Sequence, residues 1–281
     1  MIAYNHGTIP LIEGGVLPNI MTSCAALIVA RLGSSRLPAK HLIKIQDKTM
    51  IEHLINRVRK AKLIEKIVLC TSTRPEDQAL VEVAERAGIL HFQGSEHNLL
   101  HRFLGAALHF GVKFSVIVEA DEVFCDWKLM DAIIERGRRS VADYIAVRGV
   151  PIGSYLHGIR TSVLEQVSPL LDDSWATDGW ERYITSTEFF SFKIEELEVN
   201  DEIFALPSVR LTLDWPDDLA LIREIFARLY VPGEVFTLRE VMALLHREPQ
   251  LLEFNRHLIK AYDIHMATWP GLRFKQKKKS S

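Results

Sequence analysis

Short apolar runs alternate with amphipathic stretches from residue 25 to residue 148, and this alternation restricts the possible folds more than any other feature of the chain. "AALIVA" (25–30), "KIVLCTS" (66–72), "FSVIVEA" (114–120) and "DYIAVR" (143–148) have strand length and apolar centres. Between them, "MIEHLINRVRKA" (50–61) puts Ile51, Leu54, Ile55 and Val58 on one helical face. "PEDQALVEVAERAG" (75–88) reads as a helix stopped by Gly88, and "LLHRFLGAALHFG" (99–111) and "KLMDAIIERGRR" (128–139) as two more. Strand–helix alternation of this kind predicts a largely parallel α/β sheet with helices on both faces. In such sheets ligands bind beyond the carboxyl ends of the strands.

The second half is less regular. "SVRLTLDWPDDLALIREIFARLY" (208–230) predicts a strand ending near Asp214, then a helix with Pro216 in its first position. "TLREVMALLHREPQLLEFNRHLIKAY" (237–262) predicts two helices broken by Pro249. The chain therefore divides into an N-terminal extension (1–22), a main domain (23–230) and a C-terminal helical segment with a basic tail (231–281).

Charge and cysteine usage narrow the function classes. A net charge of −2 gives no general nucleic-acid-binding surface, so any anion site has to be local. Cys24, Cys70 and Cys125 are an odd number without CxxC spacing, which reads as buried thiols in a reducing compartment. No Lys or Arg precedes Arg31 and no apolar run is long enough to span a bilayer, so the expectation is a cytoplasmic protein without a membrane partner.

The first strand ends in "RLGSSRLPAK" (31–40), where Arg31, Arg36 and Lys40 surround a Gly-Ser-Ser turn. Backbone N–H groups of such a turn can approach an anion while the cations neutralise it. A solvated basic loop is the alternative reading, and the Walker A pattern is absent. Asp121 closes another predicted strand, where a carboxylate suits a hard cation such as Mg²⁺, although an Asp also starts turns. His97 and His101 have the i,i+4 spacing of a metal pair, but with no third ligand they read as ordinary histidines.

"ARLGSSRLPAKHL" resembles the R-x-G-S-x-R-L-P-G-K-x-L signature of the cytidylyltransferases that make CMP-activated acidic sugars, and the spore-coat-polysaccharide branch is the most similar. "TSTRPEDQAL", "GSEHNLLHRF", "RLTLDWPDDL" and "EPQLLEFNRH" follow in the family's order, so the resemblance covers most of residues 24–260. It implies a three-layer, Rossmann-like nucleotide-diphospho-sugar transferase fold with a mainly parallel sheet. It also implies CMP transfer from CTP to an acidic sugar with loss of pyrophosphate, Mg²⁺ as cofactor, and a homodimer.

Carried over residue by residue, the resemblance makes Arg31, Arg36, Lys40 and Asp121 catalytic. Arg31, Leu32, Gly33, Ser34, Arg36 and Lys40 would cradle the triphosphate. Thr71, Ser72, Gly94, Ser95 and Arg102 would frame base and ribose, with Arg102 alternatively a helix-surface ion-pair residue. Asp121 and Asp214 would ligate the metal. Ala39 stands where the family has Gly, Val123 where it has Pro, and Trp215 where it has Thr. Glu122 reads as exposed and Asp217 and Asp218 as helix-start acids, while Trp180 and Tyr183 read as core. A phosphonate-directed cytidylyltransferase, a nucleotide-sugar glycosyltransferase and a non-catalytic nucleotide binder share the expected fold and remain open at this point.

Overall fold

The structure, a computed structural model, describes residues 23–172, 177, 179–186, 188–206, 209–267 and 271–275. The expected extension 1–22 and most of the basic tail lie outside the described residues. The chain runs β1 (Cys24–Val29), β2 (Lys44–Ile45), β3 (Lys48–Thr49), α1 (Met50–Val58), β4 (Lys66–Ser72), α2 (Gln78–Ala87), β5 (Leu90–Gly94), α3 (Leu99–His109) and β6 (Phe114–Glu119). It continues through α4 (Trp127–Arg139), β7 (Tyr144–Arg148), β8 (His157–Arg160), α5 (Thr161–Val167), α6 (Glu181–Thr185), β9 (Ile194–Glu198), α7 (Pro216–Leu229), α8 (Leu238–Arg247) and α9 (Leu258–Ala267).

Seven strands form one sheet in the order β5-β4-β1-β6-β8-β7-β9, with β8 antiparallel to both neighbours and every other pairing parallel. The period of two along β1 decides the layers. Cys24, Ala26 and Ile28 pack with residues of α1, α2 and α4 on one face. Ala25 and Leu27 pack with α3 and α5 on the other. The predicted three-layer α/β architecture is therefore present. The chain winds outward from β1 through β4 to β5, then returns by α3 to β6 on the other side of β1. The carboxyl ends of β1 and β6 thus meet at a topological switch point, where open α/β sheets bind ligands.

Two expectations need correction. Residues 209–214 form no strand; Arg210 makes a single bridge with Ile152. The segment is held extended by Leu211 N–H donating to the Ile152 carbonyl (2.7 Å) and Leu213 N–H donating to the Asp121 carbonyl (2.9 Å). Gly153 admits this close approach: its φ is +86°, and a Cβ there would lie 2.1 Å from the Thr212 nitrogen. After Pro249 the second predicted helix begins as a 3-10 turn, Pro249–Phe254, before α9. α7 and α8 bury Leu221, Ile225, Val241 and Leu245 in a third cluster with Met50 and Phe124, so the C-terminal helices pack directly on the sheet domain.

Candidate active site

At the switch point lies a cleft of about 690 Å³ whose lining includes Arg31, Gly33, Ser34, Arg36, Lys40, Asp121 and Asp214. Its geometry follows from three segments. The turn after β1 is tied down by Asp77, just ahead of α2: its Oδ1 accepts from Leu32 N–H (2.7 Å), and its other oxygen accepts from the Ser72 hydroxyl. Asp121 lies just past the end of β6, after Ala120. Asp214 is carried in by the extended segment whose Leu213 N–H bonds to the Asp121 carbonyl.

Lys40 joins the two aspartates. Its Nζ donates to Asp121 Oδ2 at 2.8 Å and to Asp214 Oδ1 at 2.9 Å, and its side chain is only 8% exposed. Arg36 Nη2 donates to the same Asp214 oxygen at 2.9 Å, and its guanidinium lies 5.5 Å from the Trp215 ring centroid. The Trp that replaces Thr thus supports an arginine of the turn. Burial by itself would lower the Lys40 pKa, but Asp121 and Asp214 outweigh it and raise the value. Burial would likewise raise the Asp214 pKa, yet Lys40, Arg36 and Arg210 hold it below the usual carboxylate range. Both groups are charged at neutral pH.

A buried layer beneath supports Asp214. Arg210 Nη2 donates to Asp214 Oδ2 (3.0 Å) and Arg210 Nε to Asp218 Oδ1 (3.0 Å). Asp218 also accepts from the backbone N–H groups of Asp214 and Trp215, both at 3.0 Å, and from the Asn255 amide at 2.8 Å. Asp218 therefore does more than start α7: it fixes the backbone that presents Asp214.

Lys40 is positioned by Ala39, whose φ of 50° and ψ of 31° are left-handed. This explains why glycine suits the position: an L-residue there carries strain that glycine does not.

Several expected contacts fall elsewhere. Thr71, Ser72, Gly94 and Ser95 are not among the cleft-lining residues, and neither is Leu32. Thr71 and Ser72 are fully buried beneath the turn. A Cβ at Gly94 would meet Phe92 at 2.9 Å, and Ser95 Oγ accepts from Asn98 N–H, so both shape the start of α3. Arg102 does line the cleft, but it is 0% exposed and is no surface ion-pair residue. Its Nε and Nη2 donate to the Ser95 carbonyl at 2.8 and 2.6 Å, and its buried Nη1 has no partner among the described residues.

Glu122 is buried rather than exposed. Its Oε1 accepts from Tyr155 N–H at 3.2 Å, and burial, with Glu119 and Asp121 nearby, pushes its pKa well up. Trp180 is core, and its Nε1 donates to Glu119 Oε1 (3.0 Å); Tyr183 is also core.

Sequence reading missed Asp77, Arg210 and Asn255 as supports, and Arg148, Tyr155, His157 and Tyr262 as cleft-lining residues. The four-residue spacing of Arg210, Asp214 and Asp218 was the one available signal. No group of three or more His, Cys, Asp or Glu side chains among the described residues is arranged around a common metal position.

A cation–carboxylate cleft at the switch point of such a sheet is the arrangement of a nucleotide-binding transferase. The cytidylyltransferase family model matches residues 25–228, and the chain belongs to that family as a nucleotidyltransferase. It is 28% identical over 237 residues to the spore coat polysaccharide biosynthesis protein SpsF of Bacillus subtilis, covering 82% of this chain and 96% of that one. It is 25% identical over 181 residues to a 3-deoxy-manno-octulosonate cytidylyltransferase of Geobacter sulfurreducens, covering 64% and 68%. The fold matches that of a cytidylyltransferase from Leptospira borgpetersenii with a TM-score of 0.72 at 21% identity, covering 82% and 96%. No helix among the described residues is long and apolar enough to cross a membrane.

Proposed function

We propose that the chain transfers a cytidylyl group from CTP to a hydroxyl of an acidic sugar, of nonulosonic or octulosonic type, releasing pyrophosphate. The observation that carries this reading is the Lys40 ammonium bridging Asp121 and Asp214, with Arg31 and Arg36 lining the same cleft. Three cations within one cleft suit a triphosphate, and the glycine at position 33 keeps the turn's backbone open to it. The sugar oxygen bonds to the α-phosphorus as the bond from that phosphorus to the oxygen bridging to the β-phosphorus breaks; pyrophosphate leaves with that oxygen, and the hydroxyl proton passes to solvent. The reaction needs alignment and charge neutralisation more than covalent help from the protein.

The two aspartates suit Mg²⁺: they are hard oxygen donors that converge on one cation, the Lys40 ammonium, and Asp121 and Asp214 would hold the metal. Bound there, Mg²⁺ would neutralise charge on the α-phosphate and the nucleophile. Lys40 and Arg36 would meet the phosphates in the same cleft, while Arg210 and Asp218 hold Asp214 in place.

Arg148 lines the same cleft, its Nε donating to Glu196 at 2.9 Å, and is a cation that an acceptor carboxylate would meet there. The names of the octulosonate-specific relatives support the same acceptor class. Glu119, Glu122 and Glu181 also line the cleft and favour a second reading, an uncharged or amino-bearing sugar. We extend the family resemblance to a homodimer, tested by sedimentation. The three buried free thiols fit a reducing, cytoplasmic setting.

The deciding measurement is pyrophosphate release from a panel of nucleotides crossed with octulosonic, nonulosonic, neutral and amino sugars. CTP-dependent release with the acids supports the proposal. Release confined to neutral or amino sugars selects the second reading. Release with another nucleotide and none with CTP overturns both.

A further inference from the structure

Away from the cleft, a cavity of about 370 Å³ opens between α1 and the turn joining α7 to α8. Arg57, on α1, lines it and is 2% exposed, and its Nε and Nη1, both closed off from solvent, have no hydrogen-bond partner among the described residues. Its guanidinium lies 5.2 Å from the Phe236 ring centroid, 5.6 Å from Trp127 and 5.9 Å from Phe124. Rings stabilise the faces of a guanidinium but supply no acceptor in the plane of its N–H groups.

The nearby carboxylates are committed elsewhere. Asp126 caps α4 by accepting from Lys128 N–H (2.8 Å), and Glu240 closes the capping box of α8 with Thr237. No carboxylate among the described residues forms an ion pair with Arg57. Burying a cation without an anion is costly, and a ligand anion removes that cost.

The same cavity carries Lys48, Arg59 and Lys60, against one acid, Glu234. Arg59 is turned to the Ala87 carbonyl and Lys48 is paired with Asp47 (2.5 Å). Lys60 makes no ion pair among the described residues. Phe226 (2% exposed) and Tyr230 line the same cavity, with Lys48 Nζ 5.9 Å from the Tyr230 ring centroid. Cations and aromatic rings in one cavity suit a molecule with a phosphate and a flat ring.

We infer that this cavity is a second ligand site, separate from the cleft, that takes a small phosphorylated molecule of nucleotide type through Arg57 and Lys60. α1 follows the basic turn and α7 follows Asp214, so an occupant there braces the two helices that flank the reaction site.

The test uses CMP as probe, with inorganic phosphate as the minimal anion, in calorimetric titrations of the full chain. The variants are Arg57→Met, Lys60→Glu and Lys40→Met. The expected wild-type result is two CMP sites. Arg57→Met and Lys60→Glu each weaken one of them by about tenfold or more, the scale of a lost hydrogen bond to a charged group. Both keep turnover with CTP. Lys40→Met keeps the site that Arg57→Met loses. Lys60 is exposed, so Lys60→Glu stays informative if Arg57→Met fails to fold. Inorganic phosphate bound at the Arg57 site without CMP supports an anion site but overturns the nucleotide class. A single CMP site abolished by Lys40→Met and untouched by the other two overturns the inference, and does so whatever the acceptor sugar proves to be.

Discussion

Arg57 and Arg210 are equally buried, each 2% exposed, and their surroundings answer the charge in opposite ways. Arg210 meets two aspartates at 3.0 Å and stacks over the Tyr262 ring at 5.5 Å. Arg57 meets three rings and forms no ion pair among the described residues. Around Arg210 the protein neutralises its own charge and spends one carboxylate, Asp214, at the wall of the reaction cleft. Around Arg57 charge is left over, as it must be where an anion is to be taken from outside. A buried cation is thus a structural member in one region and a receptor in the other, and the carboxylate count separates them.

The largest effect expected from this contrast is on stability. Arg210→Met leaves Asp218 buried without its cation, Asp214 keeping Lys40 and Arg36, and costs about 3–5 kcal/mol in urea unfolding. A loss below about 1 kcal/mol would break the comparison, because the two arginines would then be energetically alike. Asp121→Asn leaves the fold intact and lowers turnover by about 100-fold or more, the scale of losing a key electrostatic stabiliser. Near-wild-type turnover in a folded variant removes Asp121 from the reaction.

Arg57→Met removes an unpaired cation rather than half of a pair, so stability changes by no more than about 1 kcal/mol. Turnover stays within about twofold if the second site is separate from the cleft. The smallest effect is at the turn itself. Ala39→Gly relieves a left-handed alanine and raises stability by up to about 1 kcal/mol, offset in part by glycine's larger unfolded-state entropy. A thermal shift downward would show that the Ala39 methyl contributes packing.

Much of this molecule was legible as local pattern. The apolar runs at 24–29, 66–72 and 114–119 gave the parallel core because a strand buried on both faces is apolar along its whole length. The cations of the basic turn were visible because they follow a strand within a few residues. β8 and β9 were not read: Gly158 and the charged stretch Ile194–Glu198 carry little apolar signal, and neighbouring strands supply their pairing. Of the two readings of Arg102, only the helix-surface one fails, because spacing alone does not say which face of α3 meets Ser95.

The sequence by itself determined the layers and the positive turn, since both arise from residues near one another along the chain. Only the tertiary structure decided what Lys40 holds, because its partners are 81 and 174 residues away and no period links them. It decided, too, that Arg210 is answered and Arg57 is not. Whether a buried charge finds its opposite depends on which distant segments fold against it, and composition counts charges without pairing them.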